Sequence, residues 1–241
     1  MLHRVLTAGL LAGLLAGVAI TAVHLVWTVP LILDAEVYEQ LKGQLPAGGL
    51  EAAKAAAAAA HGADHAPDGP LPRHLLTFTA NVLFGVGAGL VLAGLFHLLR
   101  VKGLRAGLMW GGGAFVAVSL APALGLPPEL PGTAAADLGL RQAWFVGTVA
   151  ATGIAIALAA YWRSVPTVIA ALVLAAAPHV IGAPQPAVHE SVVPDALAHE
   201  FVAASLLSLI VFWLVLGAAI GMLSRRYGVA DQTPATAESP A

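Results

Sequence analysis

Long runs of apolar residues recur along this chain, and their length restricts the folds that are open to it. Val5–Trp27 is apolar apart from Thr7, Thr21 and His24. As a helix rising about 1.5 Å per residue, such a run crosses the roughly 30 Å hydrocarbon core of a bilayer. A signal peptide has a shorter apolar region and a small-residue cleavage site. We therefore interpret this run as a retained first membrane helix.

Five further apolar runs follow, which predicts an all-α, polytopic integral membrane protein with six transmembrane helices. Composition agrees, because only 10% of the residues are charged, against about 25% in soluble domains. A five-helix alternative stays open, because Leu104–Leu124 and the short Val165–Ile181 are the two runs least certain to cross the membrane fully. The predicted spans cover residues 5–27, 75–99, 104–124, 142–162, 165–181 and 199–223.

Small residues form a ridge on the first predicted span. Gly9, Gly13 and Gly17 recur every four residues, so they lie on one helix face along which a second helix can approach closely. This pattern favours packing within the chain over a dimerisation motif.

A polar connection, residues 30–73, is predicted to form an outer loop between the first two spans. Asp34–Lys42 is compatible with two helical turns. The polyalanine, glycine and proline segment that follows is typical of a mobile, low-complexity loop. It carries His61 and His65, whose spacing of four would chelate a metal on a helix, although the neighbouring glycine and proline weaken that helix.

A proline- and glycine-rich stretch, Ser119–Phe145, separates the third and fourth spans. Proline lacks a backbone donor and fixes φ, so this stretch cannot form one helix through Pro122, Pro127, Pro128 and Pro131. Glu129 lies among these prolines, and transporters build substrate sites beside broken helices. Asp137 and Arg141, four residues apart, predict a structural ion pair.

Basic residues set the predicted orientation in the membrane. With six spans, seven of the eleven basic residues fall on one face, which the positive-inside rule makes cytoplasmic: Arg4, Arg100, Lys102, Arg105, Arg163, Arg225 and Arg226. The opposite face receives eleven of the thirteen acids: Asp34, Glu36, Glu39, Glu51, Asp64, Asp68, Glu129, Asp137, Glu190, Asp195 and Glu200. Residues 1–228 then form a single membrane domain with both termini cytoplasmic, and residues 229–241 form a disordered tail.

Histidines and acids are the strong metal ligands available, because the chain has no cysteine and nine histidines. His24 and His179 lie near the outer ends of apolar helices, where ionisable groups usually face a cavity or a partner. Asp195 and His199, four apart at the start of the last span, form either a ligand pair or an ordinary helix start. The candidate metal ligands are His24, His179, His199, Glu200, Asp195 and Glu129.

Several chemistries have no sequence support. The chain lacks a GxxxxGK[ST] motif, an HExxH motif, a nucleophile elbow and the kinase signatures. We therefore predict neither an enzyme nor a bound cofactor. The net charge of −2 gives no reason to expect nucleic acid as a partner.

Three segments resemble a known family: WTVPLILDAEVYE (Trp27–Glu39), LAPALGLPPELPGTAAADLGLRQ (Leu120–Gln142) and PHVIGAPQP (Pro178–Pro186). They are similar to the CbtA family of cobalt transporter subunits, which is usually described with five predicted spans. The resemblance covers nearly the whole chain except the alanine-rich loop near residues 46–70 and the C-terminal tail. It implies a subunit for cobalt uptake in the bacterial inner membrane, connected with vitamin B12 biosynthesis. The implied partner is CbtB, a small single-span protein with a His-rich segment.

Residues and resemblance together predict a permease component for Co²⁺. Outer acids and histidines would gather the ion, and His24, His179 and His199 would pass it between the helices. The alternative is a non-conducting membrane scaffold for a metal-delivering partner. Imidazole and carboxylate suit Ni²⁺ as well as Co²⁺, so ligand chemistry leaves the choice of metal open.

The charge pattern makes a direct prediction about topology. We expect a reporter that works only in the cytoplasm to be active when fused to Ala241, because six spans return the chain to the basic face. Reporter activity and membrane abundance are measured together. A silent fusion at normal abundance would contradict the six-span arrangement.

Overall fold

Helices make up the regular structure of this protein in the computed structural model. The structure describes residues 2–44, 70–187 and 191–226, and no strand occurs in these ranges. The membrane-domain helices are α1 (Leu2–Val23), α2 (Val29–Gln44), α3 (Pro70–Leu98), α4 (Leu104–Ala114), α5 (Ala121–Ala123), α6 (Leu138–Tyr161), α7 (Val165–Ile181) and α8 (Asp195–Arg226). Two π-helical segments join consecutive helices: π1 (His24–Thr28) between α1 and α2, and π2 (Phe115–Leu120) between α4 and α5. The predicted all-α fold is confirmed.

Five helical stretches of the described chain are long and apolar enough to cross a membrane, and α7 is a shorter sixth. The five are Leu2–Gln40, Leu71–Leu98, Leu104–Ala123, Leu138–Tyr161 and Asp195–Arg226. Each of the six predicted spans thus corresponds to a helix. The protein is a multi-pass helical membrane protein.

The first helix is longer than predicted, because Pro30 does not end it. The chain stays helical through π1 and α2 to Gln44, whereas the sequence predicts a loop from residue 30. In an α-helix, Pro30 would lose its bond to the carbonyl of Val26 and clash with it. The wider turn of π1 ends just before this proline, where the Val29 N–H donates to the His24 carbonyl five residues back. We infer that this wider turn accommodates the ring.

A π-helical segment also precedes Pro122. Here π2 ends with the Ala121 N–H donating to the Val116 carbonyl, again five residues back, and the helix continues to Ala123. Residues 124–137, which contain the other three prolines of this stretch, are not helical. The predicted break between the third and fourth spans is confirmed.

Glycine brings the backbones of α1 and α3 into direct contact. A methyl group added to Gly13 would overlap the carbonyl oxygen of Gly85, and one added to Gly17 would come within 2.7 Å of Val82 Cα. The pairing order, with Gly9 beside Leu90 and Gly17 beside Val82, makes the two helices antiparallel. The predicted packing of the glycine ridge within the chain is confirmed.

A second glycine contact joins α4 to α8. Gly107 of α4 meets the carbonyl of Gly217, and a methyl group on Gly221 would come within 2.6 Å of the Gly103 carbonyl oxygen. α1 also packs against α8, so the two glycine pairs form one bundle. The core of this bundle includes Phe96, Phe212, Leu216 and Ile220, all almost fully buried. α6 and α7 pack against each other beside it.

The two ends of the bundle differ in charge. At one end the link between α3 and α4 meets the last turn of α8, because the Gly103 N–H donates to the Gly221 carbonyl over 3.1 Å. Arg225 lies against Gly103 there. At the other end Arg73 makes two hydrogen bonds to Glu36, of 2.6 and 3.0 Å. The end that holds Arg225 also carries Arg4, Arg100, Lys102, Arg105 and Arg226, and the end that holds Glu36 also carries Asp34, Glu39, Asp195 and Glu200. One end is therefore basic and the other acidic, and the side of the membrane that each end faces stays a prediction.

The glycine contacts predict a sharp difference between two substitutions in one helix pair. Gly13→Ala should lower the free energy of unfolding by about 1–3 kcal/mol, because the new methyl group meets a backbone carbonyl that cannot move aside. Gly87→Ala is the control, since nothing lies within 4 Å of the added methyl group, and alanine favours the helix. Denaturant unfolding in mixed micelles, followed by tryptophan fluorescence, measures both. Equal stabilities would contradict the backbone contact.

Candidate functional site

A polar cluster lies between the first two membrane helices and consists of Thr21, His24 and Asn81. The Nδ2 of Asn81 lies 3.2 Å from Nδ1 of His24 and donates to Oγ1 of Thr21 over 3.1 Å. Thr21 Oγ1 in turn donates to the Gly17 carbonyl over 2.7 Å. Thr21 is buried, and the other two are half-buried. We call these three residues the Thr21–Asn81–His24 cluster.

The glycine ridge positions this cluster. Asn81, Gly85 and Gly89 recur every four residues in α3, so Asn81 lies on the face that contacts α1. Its carbonyl oxygen would lie 2.9 Å from a methyl group on Gly17, which places its side chain beside the last turn of α1. π1 begins there, with His24 as its first residue. Polar side chains inside membrane helices satisfy their hydrogen bonds across the helix interface, as these do.

His179 occupies a different helix pair. It lies in the last turn of α7, where its ring meets Trp144 of α6 edge-on with centroids 5.7 Å apart. The indole Nε1 of Trp144 donates to the Pro178 carbonyl over 3.1 Å. α7 ends immediately afterwards, at Gly182 with φ of 90°. Trp144 therefore joins the start of α6 to the end of α7 and fixes the position of His179.

The structure does not bring His24 and His179 together. α1 packs mainly against α3 and α8, whereas α7 packs against α6. In residues 2–44, 70–187 and 191–226, no three His, Asp or Glu side chains lie close enough together to hold a metal ion. A site formed by both histidines stays a prediction. His61, His65, His189 and Glu190, and the tail predicted at 229–241, lie outside the described residues.

The three candidate ligands at the start of α8 are all exposed. Asp195 is the first residue of this helix, and His199 and Glu200 lie one turn further on. Within the described chain, no hydrogen bond joins the Asp195 and His199 side chains. These groups are therefore open to ions from the acidic end of the bundle.

Glu129 forms an ion pair with Arg141. Its Oε2 lies 2.8 Å from Nη2 of Arg141, and both side chains are about three-tenths exposed. The predicted ion pair between Asp137 and Arg141 is wrong. Asp137 instead caps α6, where its Oδ1 accepts a hydrogen bond of 3.0 Å from the Leu140 N–H. A carboxylate at the N-cap satisfies an otherwise unpaired N–H, which leaves Arg141 to pair across the loop.

A second small core closes the acidic end of the bundle. It joins α2 to the loop between α5 and α6 and to the segment before α8 through Ala35, Tyr38, Leu130, Val192 and Val193. The sequence signal for it is weak, because it is a short apolar face on an otherwise polar segment. The bidentate pair of Arg73 with Glu36 ties the same part of α2 to the start of α3. The helical extension of α2 is therefore part of the fold and positions both loops.

Sequence reasoning missed the partners of His24. Asn81 stands out as an amide in an apolar span, four residues before Gly85, and that spacing is the available signal. Likewise, Ser119 of π2 accepts a hydrogen bond of 2.9 Å from the buried indole of Trp213 in α8. Both contacts join residues distant in sequence, so the helix pairing must be known before they can be seen.

Six helices that match the predicted spans, with an imidazole and an amide hydrogen-bonded inside them, define a multi-pass membrane protein with polar groups within its bundle. A family model described as "probable cobalt transporter subunit (CbtA)" matches residues 2–225. The chain belongs to the CbtA family, and its family function is cobalt transport. No curated protein and no solved structure matches it.

The pairing of Glu129 with Arg141 can be separated from metal binding by exchanging the charges. We expect Glu129→Arg and Arg141→Glu each to lower stability by about 1 kcal/mol or less, because the pair is partly solvated. The double exchange should restore both stability and cobalt uptake. Uptake in cells and unfolding of the purified protein are measured for all three variants. Restored stability without restored uptake would show that the carboxylate at residue 129 itself handles the ion.

Proposed function

We propose that this protein is the permease component for Co²⁺ uptake and that the ion path runs through its own helices. The observation that carries this proposal is the Thr21–Asn81–His24 cluster, which puts an imidazole and its hydrogen-bond partner inside a membrane-spanning helix pair. Ionisable groups within membrane helices are costly and usually mark ion or proton pathways. The identity of the proposed ion comes from the description of the family as a cobalt transporter subunit.

The candidate ligands suggest a route with successive contacts. Asp195, His199 and Glu200 are exposed at the start of α8, and exposed carboxylates concentrate divalent cations. His24 and His179 lie on separate helix pairs, so we assign them to successive steps instead of one site. Glu129 is an outer contact at most, because Arg141 already holds its carboxylate.

The chemistry of these ligands suits the proposed cargo. Neutral imidazole and carboxylate bind first-row divalent ions, and a path with few ligands at each step releases an ion more readily than a closed four-ligand site. Ni²⁺ fits the same ligands, and the family description favours cobalt. The ion is the substrate, and the proposal requires no resident cofactor.

A subunit acts with other subunits, and we propose a small single-span, His-rich CbtB-like protein as the partner. The word "subunit" in the family description supports a partner of some kind. The further proposals are location in the bacterial inner membrane and a supply of cobalt for vitamin B12 biosynthesis. Both rest on the resemblance of the three quoted segments.

The alternative is a scaffold that anchors a metal-delivering partner without an ion path of its own. The separation of His24 and His179 onto different helix pairs favours it. So does the α6–α7 pair, in which most of the apolar side chains of α7 are exposed and thus open to a partner helix or to lipid.

Uptake of radioactive cobalt by cells that express the chain with and without its partner tests both hypotheses. We expect His24→Ala and His179→Ala each to lower uptake about tenfold or more, since even groups that only hydrogen-bond to a metal ligand contribute about 10–100-fold. His3→Ala is the control, because His3 is an exposed histidine at the other end of α1. Membrane abundance is measured for each variant.

Two outcomes would decide against the permease. If uptake survives the loss of both His24 and His179 at normal abundance, the proposed path is wrong. If the partner alone supports full uptake when this chain is replaced by an unrelated membrane anchor, the scaffold hypothesis is correct.

A further inference from the structure

The hydrogen bonds around Asn81 have a fixed direction. A threonine hydroxyl has one hydrogen, and that of Thr21 is donated to the Gly17 carbonyl over 2.7 Å. Thr21 Oγ1 can therefore only accept from Asn81. The amide atom that lies 3.1 Å from it must be the nitrogen, Nδ2, so the network itself settles which way the amide faces.

The same nitrogen determines the protonation of His24. Nδ2 of Asn81 has a second hydrogen and lies 3.2 Å from Nδ1 of His24. Nδ1 must accept, so it carries its lone pair and no proton. In a neutral imidazole the proton then lies on Nε2. A protonated imidazolium is not compatible with this contact, because both of its nitrogens are donors.

We propose that Asn81 is a positioning residue that holds His24 in its Nε2-protonated tautomer and blocks the unprotonated nitrogen, Nδ1, from binding a metal ion. A metal ion binds the unprotonated nitrogen of an imidazole. Which of the two nitrogens is unprotonated depends on the hydrogen bonds that the ring makes. Here the unprotonated nitrogen is Nδ1, and Asn81 occupies it. His24 becomes a ligand only when Asn81 releases it. This inference rests on the proposed function in one respect, namely that the ion contacts His24.

Release requires the outer halves of the two helices to separate. His24 is the first residue of π1, and Asn81 belongs to α3. The continuous helix formed by α1, π1 and α2 is held to α3 on one side of the cluster by the contact of Gly17 with Val82. On the other side the bidentate pair of Glu36 with Arg73 holds them. In the closed arrangement His24 is therefore a hydrogen-bonded structural group, and opening of the acidic end converts it into a ligand.

Nitrogen NMR of ¹⁵N-histidine-labelled, metal-free protein in lipid bilayers tests the tautomer directly. The His24 signals are identified among the nine histidines by their loss in His24→Ala. We expect an unprotonated Nδ1 and a protonated Nε2 in the wild type. Asn81→Leu should give a mixture of both tautomers. A protonated Nδ1 in the wild type, or His24 signals unchanged by Asn81→Leu, would overturn the proposal.

A second substitution, Thr21→Val, tests the same hydrogen-bond network even if the Asn81→Leu variant does not fold. Thr21→Val preserves side-chain shape but removes the acceptor that orients the amide, so it should also allow both tautomers. Thr7→Val is the matched control, because the Thr7 hydroxyl donates to the carbonyl four residues back in the same way and Thr7 makes no contact with Asn81 or His24. Unchanged His24 signals in Thr21→Val would likewise contradict the proposal.

Binding of Co²⁺ to the purified protein supplies the functional readout. Asn81→Leu should tighten the binding that depends on His24 about fivefold, the factor that one net hydrogen bond contributes. The same substitution in a His24→Ala background should have no effect. Unchanged His24-dependent affinity in Asn81→Leu would contradict the competition between Asn81 and the metal. If the tautomer depends on Asn81 but His24→Ala leaves uptake intact, the proposed ion path through His24 is wrong, whereas the proposal that Asn81 positions His24 is retained.

Discussion

Direct backbone contact between helices is the interaction on which this fold depends. Lipid tails are as apolar as leucine, so membrane helices associate through close packing and polar contacts, not through burial from water. Glycines allow two such backbone contacts, one between α1 and α3 and one between α4 and α8. Because the contacts are backbone to backbone, they set the register of each pair. The register places Asn81 opposite Thr21 and His24, and Gly103 opposite the last turn of α8.

Two prolines that end no helix show how the bundle keeps its spans continuous. Pro30 and Pro122 each follow a π-helical segment by two residues, and the wider turn leaves room for the ring. Each π segment also carries a polar side chain that is hydrogen-bonded to a neighbouring helix, His24 in π1 and Ser119 in π2. The irregular turns thus coincide with the polar contacts inside the bundle.

The parts of the fold that depend on local composition could be predicted from the sequence. Apolar length gave the six helices, and the spacing of Gly9, Gly13 and Gly17 indicated a contact face. Features that depend on which helices are neighbours could not be predicted in this way. Arg141 is within reach of both Asp137 and Glu129, and only the capping role of Asp137 decides between them.

The candidate site shows the same division. His24 and His179 are recognisable as polar residues in apolar runs, but their position in separate helix pairs follows from tertiary packing. The role of Asn81 follows from a chain of donors and acceptors that begins at the Gly17 carbonyl. No pattern along the sequence encodes the direction of those hydrogen bonds.

The unequal helices of the α6–α7 pair have a consequence for the surrounding lipid. α6 has 24 residues and α7 has 17, which correspond to lengths of about 36 and 26 Å. A bilayer core of roughly 30 Å matches neither length: a helix that is too long is accommodated by tilting, and one that is too short by thinning of the lipid beside it. His179 lies in the last turn of α7. If α7 crosses the bilayer, its short length therefore reduces the apolar distance between that imidazole and water.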